Sequence, residues 1–248
     1  MSTNGDIEAH IQELETKPAL EVLEWALSRF HPRIAFASSF GIEDVVVIDM
    51  LARIRKDARI FTLDTGRLPE ETQALIDRVR TRYVLPVDVF SPAPARLEPF
   101  VRSHGVNPFY DSVELRKSCC AIRKMEPLGR ALAGKKAWIT GLRREQSVTR
   151  TDVPYQEFDA AHGLAKFSPL VDWSEDDVWA YIRMRDVPYN ALHDQGYRSI
   201  GCAPCTRAVE AGEDVRAGRW WWENPEHKEC GLHRRPVNQK RISAEATP

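Results

Sequence analysis

The sequence predicts an α/β fold: a mostly parallel twisted sheet with helices on both faces, followed by a mobile C-terminal tail. Three observations predict it. Short apolar runs alternate with helical stretches, the pattern of a sheet whose parallel strands are joined by crossover helices. Polar loops follow three of the expected strands, at the sheet edge where such folds bind ligands. Beyond about residue 170 the alternation gives way to irregular sequence with one further helix. The expected organisation is one body, residues 1–217, and a tail, residues 218–248.

The elements follow in order. Residues 7–30 read as helix: Ala19, Val22, Leu23, Ala26 and Leu27 form the apolar stripe, and Pro18 suits a first turn. RIAFAS, residues 33–38, is a strand, SFGIED a turn and VVVIDMLARI a helix. ARIFTLD, residues 58–64, is the second strand, and a helix starts near Pro69. RYVLPVDVF, residues 82–90, is the third strand. A helix over 121–133 leads into KKAWITG, residues 135–141, the fourth. SEDDVWAYIRMR, residues 174–185, is a helix that Asp172 or Ser174 would cap, with acids in its first turn. Residues 92–105 carry no motif.

At 248 residues the chain can bury a sizeable core. Its 35 Lys and Arg against 36 Asp and Glu leave a formal charge of -1, so no global field recruits nucleic acid or an acidic membrane. The polar, acidic start is not a secretory signal, and no run approaches a membrane span. A cytoplasmic protein is expected, where thiols stay reduced unless they bind metal or react. That setting gives the five cysteines their weight.

Three loops carry donors. Ser38 to Asp44, SSFGIED, opens a helix after a small-residue turn, and helix N-termini with serine hydroxyls bind anions; an ordinary strand–helix turn is the alternative. Leu63 to Gly66, LDTG, suits a ribose or base-edge contact, unless Asp64 caps its own turn. Thr140 to Arg150 holds Arg143, Arg144, Ser147 and Arg150, and arginine forks suit phosphate and sulfate; the alternative is a solvated basic loop.

Cys119 and Cys120 are adjacent, and after 81 intervening residues Cys202 and Cys205 form CxxC. Adjacent side chains diverge and chelate one ion poorly, whereas the corners of a [4Fe–4S] cluster can each take one thiolate. A zinc site and incidental thiols are the other readings. Lys117, Arg123 and Lys124 flank the pair; Lys124 would reach an anionic ligand or lie on a helix surface. Cys230 is left over, with His227, Lys228, His233, Arg234 and Arg235 around it. Cations lower a thiol's pKa, which suits a nucleophile; an incidental surface thiol is the alternative.

In sequence order, SSFGIED, LDTG, the CC pair with Arg123 and Lys124, GLRREQS, CxxC and KECGLH resemble the assimilatory adenylyl-sulfate (APS) and phosphoadenylyl-sulfate (PAPS) reductases. The four-cysteine pattern is similar to the cluster-bearing branch, whose usual substrate is APS. The resemblance implies an adenine-nucleotide α-hydrolase-like fold. It implies thiol-dependent reduction of APS to sulfite and AMP through an S-sulfocysteine at Cys230, with thioredoxin or glutaredoxin as donor. Cys119, Cys120, Cys202 and Cys205 would hold a [4Fe–4S] cluster. Ser38, Ser39, Phe40, Gly41, Glu43 and Asp44 would form the nucleotide loop. Leu63, Asp64, Thr65 and Gly66 would lie by the adenosine, and Lys124, Arg143, Arg144, Ser147 and Arg150 would hold the phosphosulfate, with His233 and Arg235 near it. Trp220, Trp221 and Trp222 would anchor the tail. A homo-oligomer is left open. The rival readings are a PAPS or dual APS/PAPS reductase releasing adenosine 3',5'-bisphosphate, an ATP-cleaving adenylating enzyme of the same fold, and a non-enzymatic redox-responsive metal protein.

Overall fold

The computed structural model describes residue 14, residues 16–146 and residues 150–224. Six strands form one sheet in the order β3-β2-β1-β4-β6-β5: β1 Ile34–Ser38, β2 Ile60–Leu63, β3 Val87–Phe90, β4 Ala137–Ile139, β5 Gln156–Asp159 and β6 Leu164–Phe167. Every neighbouring pair is parallel except β5 with β6. The helices are α1 Ala19–Phe30, α2 Ile42–Ile54, α3 Glu70–Tyr83, α4 Pro94–His104, α5 Val113–Cys120, α6 Glu126–Leu132 and α7 Glu175–Arg185. No helix among the described residues is long and apolar enough to cross a membrane.

Alternate residues of a strand face opposite sides of a sheet, and both sides of this sheet are covered. Ile34 and Phe36 join one core with α1, α2, α3 and α7. Ala35, Phe61 and Trp138 join another with Leu128, Ala131 and Leu132 of α6. The expected α/β layering is therefore observed. On the first face, Asp49 of α2 accepts hydrogen bonds from Tyr83 at 3.1 Å and Tyr181 at 2.7 Å, which ties three helices together.

Several boundaries differ from expectation. The third strand starts at Val87 rather than at 82, because Arg82 and Tyr83 finish α3. Arg82 bonds Asp186 and Tyr83 bonds Asp49, and these tertiary bonds outweigh the strand propensity of Tyr-Val. The helix expected over 121–133 begins two turns earlier, capped by Ser112 at Leu115 N–H. It passes through a π-helical turn at Ala121–Met125 before α6. α4 was not expected, and neither was the β5–β6 hairpin. Residues 7–13 of the first expected helix lie outside the described residues, and so does the tail from Pro225 onward. The 174–185 helix is present, with Ser174 and Asp177 closing a capping box.

Val84 follows α3 in the left-handed conformation, φ 54°, and is 82% exposed. A β-branched side chain costs about 1–2 kcal/mol there, and glycine is the usual residue at such a cap. Val84→Gly is expected to stabilise the fold by about 1 kcal/mol, read as a higher urea midpoint at unchanged slope.

Candidate active site

The strand order reverses direction between β1 and β4, and loops leaving neighbouring strands there diverge to leave a crevice. A cavity of about 220 Å³ occupies it. After β1 the chain turns sharply at Phe40, φ 60°, whose side chain is buried in the core. Gly41 then starts α2. The turn is held by its own polar groups: Ser38 Oγ accepts from Phe40 N–H at 3.1 Å, and Asp44 accepts from the Ser39 N–H and hydroxyl at 2.5 and 2.8 Å. Ser38, Ser39, Gly41, Glu43 and Asp44 line the cavity; Phe40 sits beneath it.

After β4, Thr140, Gly141, Leu142 and Arg143 form the opposite wall. A Cβ on Gly141 would overlap the Asp44 carboxylate, so glycine is needed for the two loops to approach. Buried Arg143 donates from Nε to Glu43 at 2.8 Å and from Nη1 to the Trp173 carbonyl at 3.1 Å. Its charge is matched inside the wall. Asp44 has no such cation. Burial pushes its carboxyl from 3.8 up to about 7 and the Glu43 charge adds to the rise, against the opposing bonds from Ser39.

Lys124, from the π turn, and Arg150 also line the cavity, as do Leu63 and Thr65. Arg150 donates to Gln146 at 2.5 Å. Four of the expected ligand residues do not line it. Two of them, Asp64 and Gly66, close on each other in the self-capped turn, where Asp64 accepts from Gly66 N–H at 2.8 Å. Arg144 points to Asp172 and the Val153 carbonyl. Phe40 is the fourth, and Ser147, Cys230, His233 and Arg235 fall outside the described residues. The sequence reading missed Arg198, Arg216, Arg219, Trp220 and His193, all in the lining. The only signal was arginine close to CxxC and to the tryptophans. Arg198 is paired with Glu175 at 2.6 Å, whereas Arg219 donates to the Ile200 carbonyl at 3.2 Å.

Beside this cavity lies a second, about 20 Å³, lined by Cys119, Cys120, Cys202 and Cys205. The chain brings the four together from α5 and from the turn Ala203–Cys205. All four are buried and unbridged. Burial raises the Cys119 thiol, and burial with repulsion from Cys202 and Cys120 pushes Cys205 up to about 12. Thr65 Oγ1 lies 3.2 Å from Cys202 Sγ, and Arg123 donates to the Thr65 carbonyl at 2.6 Å. Among the described residues, the buried donors Arg123 Nε and Trp220 Nε1 meet no hydrogen-bond acceptor. Lys124, Arg219 and Trp220 line both cavities.

Trp220 is buried, with Arg116 4.8 Å and Arg219 4.7 Å from its ring centre. Trp222 packs edge-on to Tyr110 at 4.5 Å, and Trp221 is 40% exposed. The described chain nears its end at Glu223, which takes a two-pronged ion pair from Arg116 at 2.7 and 2.9 Å.

The model of the phosphoadenosine phosphosulfate reductase domain matches residues 33–208. An adenosine 5'-phosphosulfate reductase of Allochromatium vinosum is 59% identical over 211 residues, 85% of this chain and 82% of that protein. One from Burkholderia cepacia is 52% identical over 227 residues, 92% of this chain and 91% of that protein. The crystal structure of phosphoadenylyl-sulfate reductase from Candida auris, a phosphate complex, superposes with a TM-score of 0.72 at 29% identity. That match covers 84% of this chain and 99% of that one. Yeast FAD synthetase in complex with FAD, TM-score 0.54 at 15% identity over 84% of this chain and 70% of that one, shares the fold.

The raised Asp44 carboxyl gives a pH signature. The folded protein holds this proton tighter than the unfolded chain, so its contribution to stability is full below pH 3.8 and is lost as pH rises toward about 7. Asp44→Asn keeps the acceptor and removes the charge. It is expected to be more stable than the parent at pH 8, by about 1 kcal/mol or more, with the advantage gone at pH 4. Urea unfolding at the two pH values reads it.

Proposed function

Because the chain belongs to the phosphoadenosine phosphosulfate reductase domain family, we propose that it is an adenylyl-sulfate reductase of assimilatory sulfate reduction, producing sulfite and AMP. The observation that carries the reading is a cation-walled cavity at the sheet's switch point, adjoining a cavity lined by four cysteines. Relatives 46–59% identical over most of the chain carry the name adenosine 5'-phosphosulfate reductase. A cytoplasmic setting would keep the reacting thiols reduced.

AMP leaves APS readily, but an incoming thiolate is repelled by the anionic phosphosulfate. Cations must offset that charge before attack. Lys124, Arg150, Arg216 and Arg219 line the cavity and are the residues we assign to it. The first-turn residues of α2 and the serines of SSFGIED receive the nucleotide. Arg143, matched by Glu43, braces the wall instead. Arg144 is assigned to holding its own loop. Ser147, His233 and Arg235 retain the substrate roles implied by the family.

Cys230 supplies the nucleophile. Its thiolate bonds to the sulfate sulfur, the bond from that sulfur to the AMP oxygen breaks, and AMP departs with the electron pair. A dithiol, thioredoxin or glutaredoxin, then attacks Cys230 Sγ of the S-sulfocysteine. Sulfite leaves with the pair, and the donor's second thiol frees Cys230 as the donor becomes a disulfide. We read Gly218 to Pro248 as the arm carrying Cys230, and the preceding residues as the body.

A [4Fe–4S] cluster would be held by Cys119, Cys120, Cys202 and Cys205. The four thiols line one cavity, and four thiolates suit a guest of several metal atoms, each taking one. The acceptor-less Arg123 Nε and Trp220 Nε1 lining it suit an anionic, sulfur-rich guest. When bound, the cluster supplies charge beside the phosphosulfate and a rigid frame for both cysteine segments.

Sulfite release with thioredoxin tests this. Turnover with APS is expected to exceed that with PAPS at least tenfold, on the order of a 1.4 kcal/mol preference. Cys230→Ser is expected to lower it about 10³-fold or more. The purified chain should hold about four irons, lost in Cys202→Ser. Turnover favouring PAPS would replace the substrate. A fully active Cys230→Ser would remove the mechanism.

A further inference from the structure

One buried ion pair has been given no role so far: Arg116, which lines the cysteine cavity and interacts with Cys120, and Glu223. Arg116 of α5 and Glu223 pair with both prongs of the guanidinium, and their side chains are 1% and 2% exposed. A buried pair of this kind is a costly way to gain stability, because desolvation offsets most of the attraction. Its selective value lies in geometry: only one docking of the two segments satisfies both charges. Here the segments are α5, which ends in Cys119 and Cys120, and the stretch that leads toward Cys230.

The surroundings link the pair to both cavities. The Arg116 guanidinium also lies over Trp220, and so does that of Arg219. Trp220 N–H donates to the Cys205 carbonyl at 3.1 Å, and Glu223 N–H donates to the Trp220 carbonyl at 2.8 Å. Arg219 fills the space beside Gly201, where any Cβ would overlap its guanidinium. Fixing Glu223 therefore fixes Trp220 and Arg219, the two residues of this segment that line both cavities.

Resting on the reading of Cys230 as nucleophile, we infer that Arg116 and Glu223 are positioning residues that pin the start of the Cys230 segment against the cysteine-bearing helix. Six residues lie between Glu223 and Cys230, so the seven chain steps span at most roughly 25 Å. Release of the pin removes the side-chain anchor nearest Cys230 among the described residues. Loss of the Trp220 and Arg219 placement adds to that.

The test is the rate at which the full, metal-loaded chain gains a sulfite-mass adduct on the Cys230 peptide after mixing with APS and no reductant. Iron content and AMP affinity are measured alongside. Glu223→Gln is expected to slow adduct formation about tenfold or more, since it breaks the buried ion pair that fixes the segment, with iron content unchanged. Glu223→Asp, which keeps the charge, should recover most of the rate. A four-glycine insertion after Asn224, beyond every described contact, should slow the parent about twofold and gives a readout independent of any folding defect. An adduct rate unchanged in both Glu223→Gln and the insertion overturns the inference. So does a loss that only tracks lost iron, which would make the pair a support of the cysteine cavity alone. Absence of any adduct in the parent overturns the nucleophile assignment itself, and the two failures are told apart by that control.

Discussion

The Trp220 ring has Arg116 and Arg219 within 5 Å of its centre and is 1% exposed. A cation over an aromatic face gains most when water is excluded, and here both guanidinium groups are also held by other partners, Arg116 by Glu223 and Arg219 by the Ile200 carbonyl. This packing makes one wall serve two cavities. If the indole were removed, the cysteine cavity and the switch-point cavity would lose a shared side, and Arg219 would lose the surface it lies on. The sheet supplies the crevice, but the segment Cys202 to Glu223 closes it, and this indole holds the segment in place.

The electrostatics of the site follow from who is paired. Of the cations in the larger cavity, Arg143 and Arg198 have carboxylate partners, Glu43 and Glu175. They shape the walls. Asp44 is a buried carboxyl with no cation paired to it among the described residues, and burial raises its pKa to about 7. A neutral acid there costs an incoming anion less than a carboxylate would. The three described acids of the cavity are thus matched or protonated, which leaves little negative charge to repel an incoming anion.

How much of this was legible in the sequence depended on whether a residue's role is local. The strands Ile34–Ser38 and Ile60–Leu63 announced themselves because both of their faces are buried and read as apolar runs. The β5–β6 hairpin did not: Gln156, Glu157 and Lys166 break the apolar run, and the Lys166–Glu157 pair that joins the strands at 2.8 Å shows only once they are paired. The cysteines and SSFGIED were readable because their chemistry lies in residue type and spacing. The Phe40 side chain lies in the core rather than in the cavity lining, beneath a left-handed turn whose φ the sequence does not display. Arg144 looked like its neighbour Arg143, yet the chain aims one at Asp172 and the other at Glu43. Arg198, Arg216 and Arg219 were missed because irregular chain, with no period to follow, delivers them from far along the sequence.

In the proposed enzyme one nucleotide sits at the switch point with its phosphate beside the cysteine cavity. A crystal structure with AMP soaked in, recorded at the iron absorption edge, is the decisive measurement. The phosphate is expected among Lys124, Arg150 and Arg219, with iron scattering in the adjacent cavity framed by Cys119, Cys120, Cys202 and Cys205. AMP bound elsewhere on the sheet, or a cysteine cavity without iron in a fully active protein, would overturn this arrangement.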